Sequence, residues 1–314
     1  MHPRQIRVKI ACLAASVAMA PALGQSGPVL GWGTNNFGQA TPPPGNFMRV
    51  SASPALGMGI RDDGTLAAWG IGTSGQLNVP LGTFQQVSAG SAWGLALRTD
   101  GTLAAWGRND NGQVSGAPSG TFVHVAAANR HGLALRPDGT LVMWGEGLGT
   151  HPGGTFREVR GGTNFSLGLR PDGTLVGWGD NQWGQTNVPS GTFTSVAAGD
   201  SFGAAVTSEG TLRSWGGIQG GFIPMPPPPP GNDFVRVVAG LGDFAIAVRA
   251  NGSLAAWGFN GPNGELNVPP GSFLDVAAGA GFGLAIVPTP GVMWCMVLPA
   301  FLMRRRAPHR GGRS

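Results

Sequence analysis

Two short strings in this sequence have the form of cofactor-binding or catalytic motifs. Residues 70–75, GIGTSG, match the glycine-rich loop in which the backbone approaches a dinucleotide pyrophosphate. Residues 199–203, GDSFG, match the turn that exposes a nucleophilic serine between a strand and a helix. Both motifs need a helix directly after the loop, and no helical pattern follows either string. We therefore interpret both strings as loops of a β-structure.

The remaining reactive side chains do not form a recognisable catalytic or metal-binding set. The spacing of His124, His131 and His151 does not match a set of metal ligands. The adjacent carboxylates Asp62 and Asp63 begin a predicted hairpin turn, where aspartate side chains bond to the backbone. The sequence therefore predicts no catalytic residue, no metal site and no cofactor.

Positive charge is concentrated at the two ends of the chain. The formal net charge is +5, from 20 lysines and arginines against 15 carboxylates. Residues 25–290 contain 12 arginines, all 15 carboxylates and no lysine, so this part has a net charge of −3. A domain of this sign predicts no nucleic-acid partner, and without lysine it has no Schiff-base chemistry. It also lacks thiol chemistry, because Cys12 and Cys295 lie outside it.

The first 24 residues have the order of a secretory signal. Arg4, Arg7 and Lys9 precede an apolar stretch at residues 10–20, and small residues follow it. We therefore expect residues 1–24 to be a signal peptide that is removed. The protein would then be exported to the cell envelope or the extracellular space.

The last residues combine a short proline motif, an apolar run and a cluster of arginines. Residues 287–290, VPTP, precede the apolar residues 291–303, and three arginines follow at 304–306. This order resembles the sorting signals of the PEP-CTERM kind, which implies recognition by an exosortase-like enzyme. The run reaches about 20 Å as a helix, less than the roughly 30 Å of a hydrocarbon core. Residues 288–314 are therefore expected to be a sorting segment and a transient membrane anchor.

A tryptophan-glycine dipeptide recurs about every 37 residues between these ends. A phenylalanine lies 22 or 23 residues before six of the seven tryptophans, whereas the segment that follows each tryptophan varies in length. The constant segment is therefore framework and the variable segment is loop. The tryptophans are Trp32, Trp69, Trp106, Trp144, Trp178, Trp215 and Trp257.

Each constant segment has the pattern of three short β-strands. Residues 84–90 and 93–98 are apolar runs bounded by glycine, and the turn TDG at 99–101 returns the chain into residues 102–106. Aspartate and glycine at these turn positions favour a tight hairpin. A fourth, short edge strand is expected in the variable segment, as in LNVP at residues 77–80.

Short antiparallel strands repeated at this period predict an all-β fold, a seven-bladed β-propeller of residues 25–287. The last repeat, which ends with residues 282–287, has no tryptophan strand of its own. Residues 29–32 supply such a strand at the amino end. We therefore expect the propeller to be closed by the N-terminal strand, which pairs into the last blade and removes two open sheet edges.

Several loops after the tryptophans share the pattern Asn-x-x-Gly-Gln. Examples are WGTNNFGQ at residues 32–39 and WGRNDNGQ at residues 106–113. These strings resemble the repeat of the regulator of chromosome condensation, and the resemblance extends over residues 29–287. It implies a seven-bladed propeller. The short period is similar to that of secreted bacterial members, which include a β-lactamase inhibitory protein.

Surface recognition is the function that this reasoning favours. Because neighbouring strands alternate in direction, the first turn of each blade opens on the same face as the Asn-x-x-Gly-Gln loops. The predicted binding residues on this face are Phe37, Asn129, Arg130, Asn164, Trp183, Asp200 and Asp243. Phe37 and Trp183 occupy a loop position that other repeats give to serine or asparagine, so they are predicted anchors. The alternative is that each ring folds over its own glycine loop.

We therefore expect an exported, non-catalytic propeller that binds a protein or a cell-surface ligand through one face of loops. Inhibition of a β-lactamase is a specific form of this hypothesis. Guanine-nucleotide exchange on a small GTPase is an alternative that the resemblance implies. A second alternative is an envelope polysaccharide lyase or hydrolase that uses Asp200 or Asp243.

Overall fold

The computed structural model describes residues 25–147, 149–218 and 221–289, and this part of the chain contains 22 β-strands. The predicted signal peptide and the tail from residue 290 onward lie outside it. In chain order the strands are β1 Val29–Gly33, β2 Phe47–Ser53, β3 Leu56–Arg61, β4 Leu66–Gly70, β5 Phe84–Gly90, β6 Trp93–Arg98, β7 Leu103–Gly107, β8 His124–Ala127, β9 His131–Leu135, β10 Leu141–Gly145, β11 Glu158–Gly161, β12 Phe165–Leu169, β13 Leu175–Gly179, β14 Phe193–Ala198, β15 Phe202–Thr207, β16 Leu212–Ile218, β17 Ile223–Pro224, β18 Phe234–Ala239, β19 Phe244–Arg249, β20 Leu254–Gly258, β21 Val276–Ala278 and β22 Phe282–Ile286.

The described strands form seven antiparallel sheets, which are the blades of a propeller. Blade 1 is β2–β3–β4, blade 2 β5–β6–β7, blade 3 β8–β9–β10, blade 4 β11–β12–β13, blade 5 β14–β15–β16–β17, blade 6 β18–β19–β20 and blade 7 β21–β22–β1. Each blade packs against the next, and β21 and β22 of blade 7 pack against β2 of blade 1. The predicted all-β, seven-bladed propeller is confirmed. No described helix is long and apolar enough to cross a membrane.

The N-terminal strand occupies the outer position of blade 7. β1 runs antiparallel to β22, from Val29 opposite Ile286 to Gly33 opposite Phe282. This is the pairing that the sequence predicts from the missing tryptophan strand of the last repeat. The side chain of Trp32 is thereby placed over Gly283, as the tryptophans of blades 1, 2, 3 and 5 are placed over a glycine of their own blades.

The expected fourth strand is absent from six of the seven described blades, so this prediction was wrong for them. Residues 77–80 form an irregular turn in which the N–H of Val79 donates to the carbonyl of Leu77, 3.0 Å away. The same three-residue turn recurs at Val188 and Val268. The backbone group that would pair with the sheet is used within the turn, and proline follows it. Within the described residues, only blade 5 has a fourth strand, the two-residue β17.

In four of the seven described blades, a phenylalanine and an arginine stack on each other at the start of the first strand. Phe84, the first residue of β5, is buried, and the guanidinium of Arg98 lies 4.9 Å from the centre of its ring. Arg98 also donates to the carbonyl of Leu81, 2.8 Å away. Arg61, Arg170 and Arg249 stack on the corresponding phenylalanines of blades 1, 4 and 6. These arginines are therefore part of the framework, since stacking holds each charge against its own blade.

The turns between the middle and outer strands are closed as predicted. The carboxylate of Asp100 accepts hydrogen bonds from the N–H and the hydroxyl of Thr102, at 2.9 and 2.7 Å. Gly101 adopts a φ of 85°, which favours glycine. These bonds lower the pKa of Asp100, and the same arrangement lowers the pKa of Asp63, Asp138 and Asp172.

Candidate binding face and central channel

One face of the propeller, called here the loop face, carries two loops from every blade. The inner turn joins the first and second strands, and the outer loop follows the tryptophan strand. A repeated backbone hydrogen bond joins them, such as that from the N–H of Arg108 to the carbonyl of Ala92, 2.9 Å. The seven donor and acceptor pairs are Thr34 and Gly281, Ile71 and Ala55, Arg108 and Ala92, Glu146 and Arg130, Asp180 and Asn164, Gly217 and Ser201, and Phe259 and Asp243.

The predicted binding residues all lie on the loop face, but they are spread around it. Asn129 and Arg130 form the inner turn of blade 3, Asn164 that of blade 4, Asp200 that of blade 5 and Asp243 that of blade 6. Arg130 and Asn164 are exposed, whereas Asn129, Asp200 and Asp243 are half-buried. Phe37 and Trp183 lie in the outer loops of blades 7 and 4. The structure therefore gives a face rather than a single cluster.

The side chain of Asp200 is engaged by its own surroundings. The hydroxyl of Thr163, in the inner turn of blade 4, donates to one carboxylate oxygen. The hydroxyl of Ser201 donates to the other, 3.3 Å away. The N–H of Thr163 also donates to the carbonyl of Asp200, at 3.3 Å. Asp200 therefore ties two neighbouring blades together at this face.

The Asn-x-x-Gly-Gln loops are held by the side chains that define their pattern. In the outer loop of blade 4, the amide oxygen of Asn181 accepts from the N–H of Thr186, and that of Gln185 accepts from the N–H of Trp183. The Gln185 side chain is buried. The equivalent Gln39, Gln76 and Gln113 make the same bond to the residue two positions earlier. In each of these loops, the bond fixes the backbone of the residue two positions before the glutamine.

The two predicted aromatic anchors have different surroundings. Phe37 is 56% exposed. Trp183 is half-buried: its ring covers the backbone of Gly221, in the outer loop of blade 5, and packs against Phe222 at 5.7 Å between ring centres. The ring of Trp183 thus folds over the loop of the next blade rather than its own. Phe222 itself is 82% exposed, and the next residue, Ile223, is an exposed residue of β17.

Sequence reasoning missed Phe222, Ile223 and Phe259 as exposed apolar residues of the loop face. Phe259 lies in the outer loop of blade 6, next to the loop of Phe37, because Asn263 donates to the hydroxyl of Thr34 across the two loops. Phe222 and Ile223 belong to an outer loop that lacks the Asn-x-x-Gly-Gln pattern, and Phe259 belongs to one that varies it. An aromatic residue where the repeat breaks down is the signal that could have identified them.

A channel of about 940 Å³ runs between the inner strands of the blades. The wall of this channel includes the residue two positions after the recurring phenylalanine of each repeat. This residue is polar in all seven repeats. We call these residues the polar ring: Arg49, Gln86, His124, Glu158, Ser195, Arg236 and Asp275. The next inward-facing positions are mostly alanine or serine, and Arg160 is the charged exception. The channel is thus polar near one end and lined by small residues beyond it.

Members of the polar ring bond to the following blade. The side-chain oxygens of Gln86, Ser195 and Asp275 each accept the N–H of the residue that follows the ring member of the next blade. The donors are Val125 at 3.1 Å, Val237 at 3.2 Å and Val50 at 3.0 Å. These bonds satisfy backbone groups that face the channel, so the ring helps to hold the blades in register.

His124, the histidine of the polar ring, is neutral. The Nε2–H of His124 donates to the carbonyl of Val159, 3.0 Å, and the amide of Gln86 lies 3.4 Å from the other ring nitrogen. Burial lowers the pKa of His124 to about 4, and the nearby charge of Arg160 acts in the same direction. In the residues that the structure describes, no group of three His, Cys, Asp or Glu side chains is arranged to hold a metal ion.

The charged side chains of the polar ring, together with Arg160, form two groups. In blade 4, Arg160 donates to Glu158 at 2.9 Å. On the other side, Arg236 of blade 6, Asp275 of blade 7 and Arg49 of blade 1 follow one another, and Arg236 forms an ion pair with Asp275. Sequence reasoning missed the whole ring. The signal was the position two residues after the recurring phenylalanine, which is polar in every copy.

Comparisons with known proteins agree with this geometry. Residues 84–113 and 193–217 match the model of the regulator of chromosome condensation (RCC1) repeat. Its fold is similar to that of Prp20p from Saccharomyces cerevisiae, with a TM-score of 0.71 and 17% identity over 87% of this chain and 94% of that one. No curated protein matches the sequence.

Two further solved structures share this fold. Human WBSCR16 has a TM-score of 0.67 at 20% identity, covering 84% of this chain and 99% of its own. The CRINKLY WD40 ectodomain of the Arabidopsis thaliana receptor kinase ACR4 has a TM-score of 0.57 at 21% identity, covering 74% and 89%. At these identities the similarity shows the fold, and function has to be argued from the surface.

Proposed function

We propose that this chain is an exported, non-catalytic propeller that binds another protein through its loop face. The observation that carries the proposal is the group formed by Trp183, Phe222 and Ile223. Phe222 is 82% exposed, although its ring is positioned by Trp183 at 5.7 Å. An aromatic side chain has few rotatable bonds, so it loses little conformational freedom when it enters a partner's pocket, which is typical of interface anchors.

The propeller framework supports a protein partner in general terms. The similar Prp20p has binding properties toward Gsp1p and histones. The same protein, yeast RCC1 (Prp20), is also seen bound to Kap60. Guanine-nucleotide exchange has no such specific support on this chain. A catalytic role on the loop face is also not favoured, because the carboxylate of Asp200 already accepts bonds from Thr163 and Ser201.

Affinity capture with matched variants tests the proposal. The immobilised full chain is incubated with an envelope extract of its own cells, and captured proteins are identified by mass spectrometry. We expect Phe222→Ser, and separately Phe37→Ser, to reduce recovery of the partner at least tenfold. Leu81→Ser is the control, because Leu81 is 92% exposed on the opposite face. Unchanged recovery with both loop-face variants, or equal loss with the control, would refute the proposal.

Export is part of the proposal and has its own test. It is supported by the order of charged, apolar and small residues in the first 24 positions and by the proline, apolar and arginine order at the other end. Mass spectrometry of the protein from the cell envelope should find an amino end near Gln25 and a carboxyl end shortened within residues 288–314. An intact Met1 in a cytoplasmic fraction would contradict export.

A further inference from the structure

The polar ring carries an uncompensated positive charge on one side of the channel. Asp275 is shared by many donors: Arg236 and the N–H of Val276 donate to one oxygen, and the N–H of Val50 donates to the other. Its charge therefore compensates Arg236. Arg49 lies beside this pair, and the one hydrogen bond of its side chain among the described residues is a long one, 3.5 Å to the carbonyl of Met48.

The surroundings of Arg49 disfavour an isolated cation. Burial lowers the pKa of its guanidinium, the charge of Asp275 raises it, and the charge of Arg236 lowers it again. A partly buried guanidinium with unused donors gains from binding an anion, because charge-assisted hydrogen bonds are stronger than neutral ones. Over the whole channel, Arg49, Arg157, Arg160 and Arg236 face two carboxylates, Glu158 and Asp275.

The channel has room for a ligand and indicates what kind it is. The volume of about 940 Å³ is within the range of small-molecule sites. Among the described residues the lining contains no phenylalanine or tryptophan. What it offers is planar guanidinium groups, which match carboxylate and phosphate oxygens in pairs.

We propose that the central channel binds a small anion that carries carboxylate or phosphate oxygens, held by Arg49 and Arg236 at the junction of blades 6, 7 and 1. This site is separate from the loop face. Asp275 fixes Arg236, and Arg49 contributes the free donors. Gln86 and Ser195 use their oxygens to accept backbone N–H groups of the next blades. They are therefore positioned by the fold before a ligand enters.

Titration of the full chain with two probes tests this site and identifies the chemistry. Citrate and inorganic phosphate are compared with chloride at equal ionic strength, by calorimetry and by the midpoint of thermal unfolding. We expect saturable one-to-one binding of at least one probe and a raised midpoint. Binding of citrate alone assigns a carboxylate ligand, and binding of phosphate alone assigns a phosphate ligand. No saturable effect of either probe at 10 mM would overturn the proposal.

Variants distinguish the channel from the surface. Arg49→Gln should weaken binding at least tenfold, because it removes the guanidinium with free donors while Arg236 and Asp275 stay paired. Arg49→Lys keeps the charge without the planar fork and is expected to bind with intermediate affinity. The control is Arg213→Gln, an exposed arginine of β16 in the outer part of blade 5. If the folded Arg49→Gln protein binds as the native chain does, or if Arg213→Gln weakens binding equally, the site is not in the channel.

Discussion

The indole N–H of Trp106 donates a 2.9 Å hydrogen bond to the backbone carbonyl of Gln76, in the outer loop of the preceding blade. The same bond joins Trp32, Trp69, Trp144 and Trp215 to the equivalent residues before them. Trp178 and Trp257 have no such partner among the described residues. They follow the two variable segments that lack the Asn-x-x-Gly-Gln pattern.

The residue opposite each tryptophan changes together with this bond. In the five bonded blades it is glycine, as in the pair Gly94 and Trp106. In blades 4 and 6 it is Ser166 and Ala245. A Cβ on Gly94 would lie 2.3 Å from Trp106, so the ring that reaches the carbonyl needs glycine beneath it. In blades 4 and 6 the preceding outer loop has no such glutamine, the indole bond is absent among the described residues, and the residue opposite the tryptophan is not glycine.

The first prediction concerns the indole bond itself. Trp106→Phe removes the N–H and leaves a buried carbonyl without its donor, so it should lower the free energy of unfolding by about 1–2 kcal/mol more than Trp178→Phe does. Both substitutions remove the same ring atoms, which makes Trp178→Phe the control. Urea unfolding of the two variants measures the difference. Equal losses would show that the bond contributes nothing to stability.

The second prediction concerns the glycine beneath the ring. Gly94→Ala should lower the free energy of unfolding by about 1–3 kcal/mol, because the new methyl group overlaps Trp106. Gly153→Ala is the control, since a Cβ there meets nothing within 4 Å. Thermal unfolding of both variants provides the comparison. A Gly94→Ala protein as stable as the control would mean that the ring moves away without cost.

The third prediction concerns pH. His131 is buried, its Nε2 lies 2.9 Å from the hydroxyl of Ser166, and burial lowers its pKa to about 4 from 6.5. Because the unfolded chain binds the proton more readily, this histidine makes the folded state lose stability as pH falls through this range. Between pH 7 and pH 5 the loss should be roughly 2 kcal/mol.

His131→Phe is the matched variant for this test. Phe165, Phe202, Phe244 and Phe282 occupy the same position in other blades and are buried there. His124 is present in both proteins, so its own titration cancels in the difference. Chemical denaturation at several pH values should therefore show a shallower decline for His131→Phe. Parallel curves for the two proteins would assign the pH dependence to other groups.

The fourth prediction concerns the strand that completes blade 7. A chain that starts at Asn35 lacks β1 and the packing of its partly buried Trp32, so it should lose roughly 3 kcal/mol, and β22 would be left as an open edge. A chain that starts at Gln25 is the control. We expect a lower unfolding midpoint and association on a sizing column. A synthetic peptide of residues 25–34 should restore the midpoint, and a truncated chain that stays stable and monomeric would disprove the role.

The repeat made the framework predictable, because its periodic residues act within one blade or between adjacent ones. Spacing of the tryptophans gave the blade number, and the strand missing after Phe282 indicated where β1 would pair. The fourth strand was predicted wrongly, since an apolar LNVP segment does not reveal that Val79 bonds to Leu77. Local turns of this kind compete with sheet pairing over only three residues.

The candidate sites were less predictable because they depend on departures from the repeat. The position of Trp183 was foreseen, but its contact with Phe222 joins two loops of different length. The seven polar positions of the polar ring are visible in the sequence. The charge asymmetry is not, because it arises only when closure of the propeller makes blades 6, 7 and 1 neighbours. Arg236, Asp275 and Arg49 are far apart in the sequence, and ring closure brings them together.

Closure through β1 also joins the two ends of the described chain. The N–H of Val287 donates to the carbonyl of Pro28 at 2.9 Å, and the hydroxyl of Thr289 donates to that of Ser26 at 3.2 Å. A short linker between these ends would let the polypeptide be opened at another exposed site, such as Gly153. The order of the blades along the gene is therefore open to circular permutation, with every blade keeping both of its neighbours.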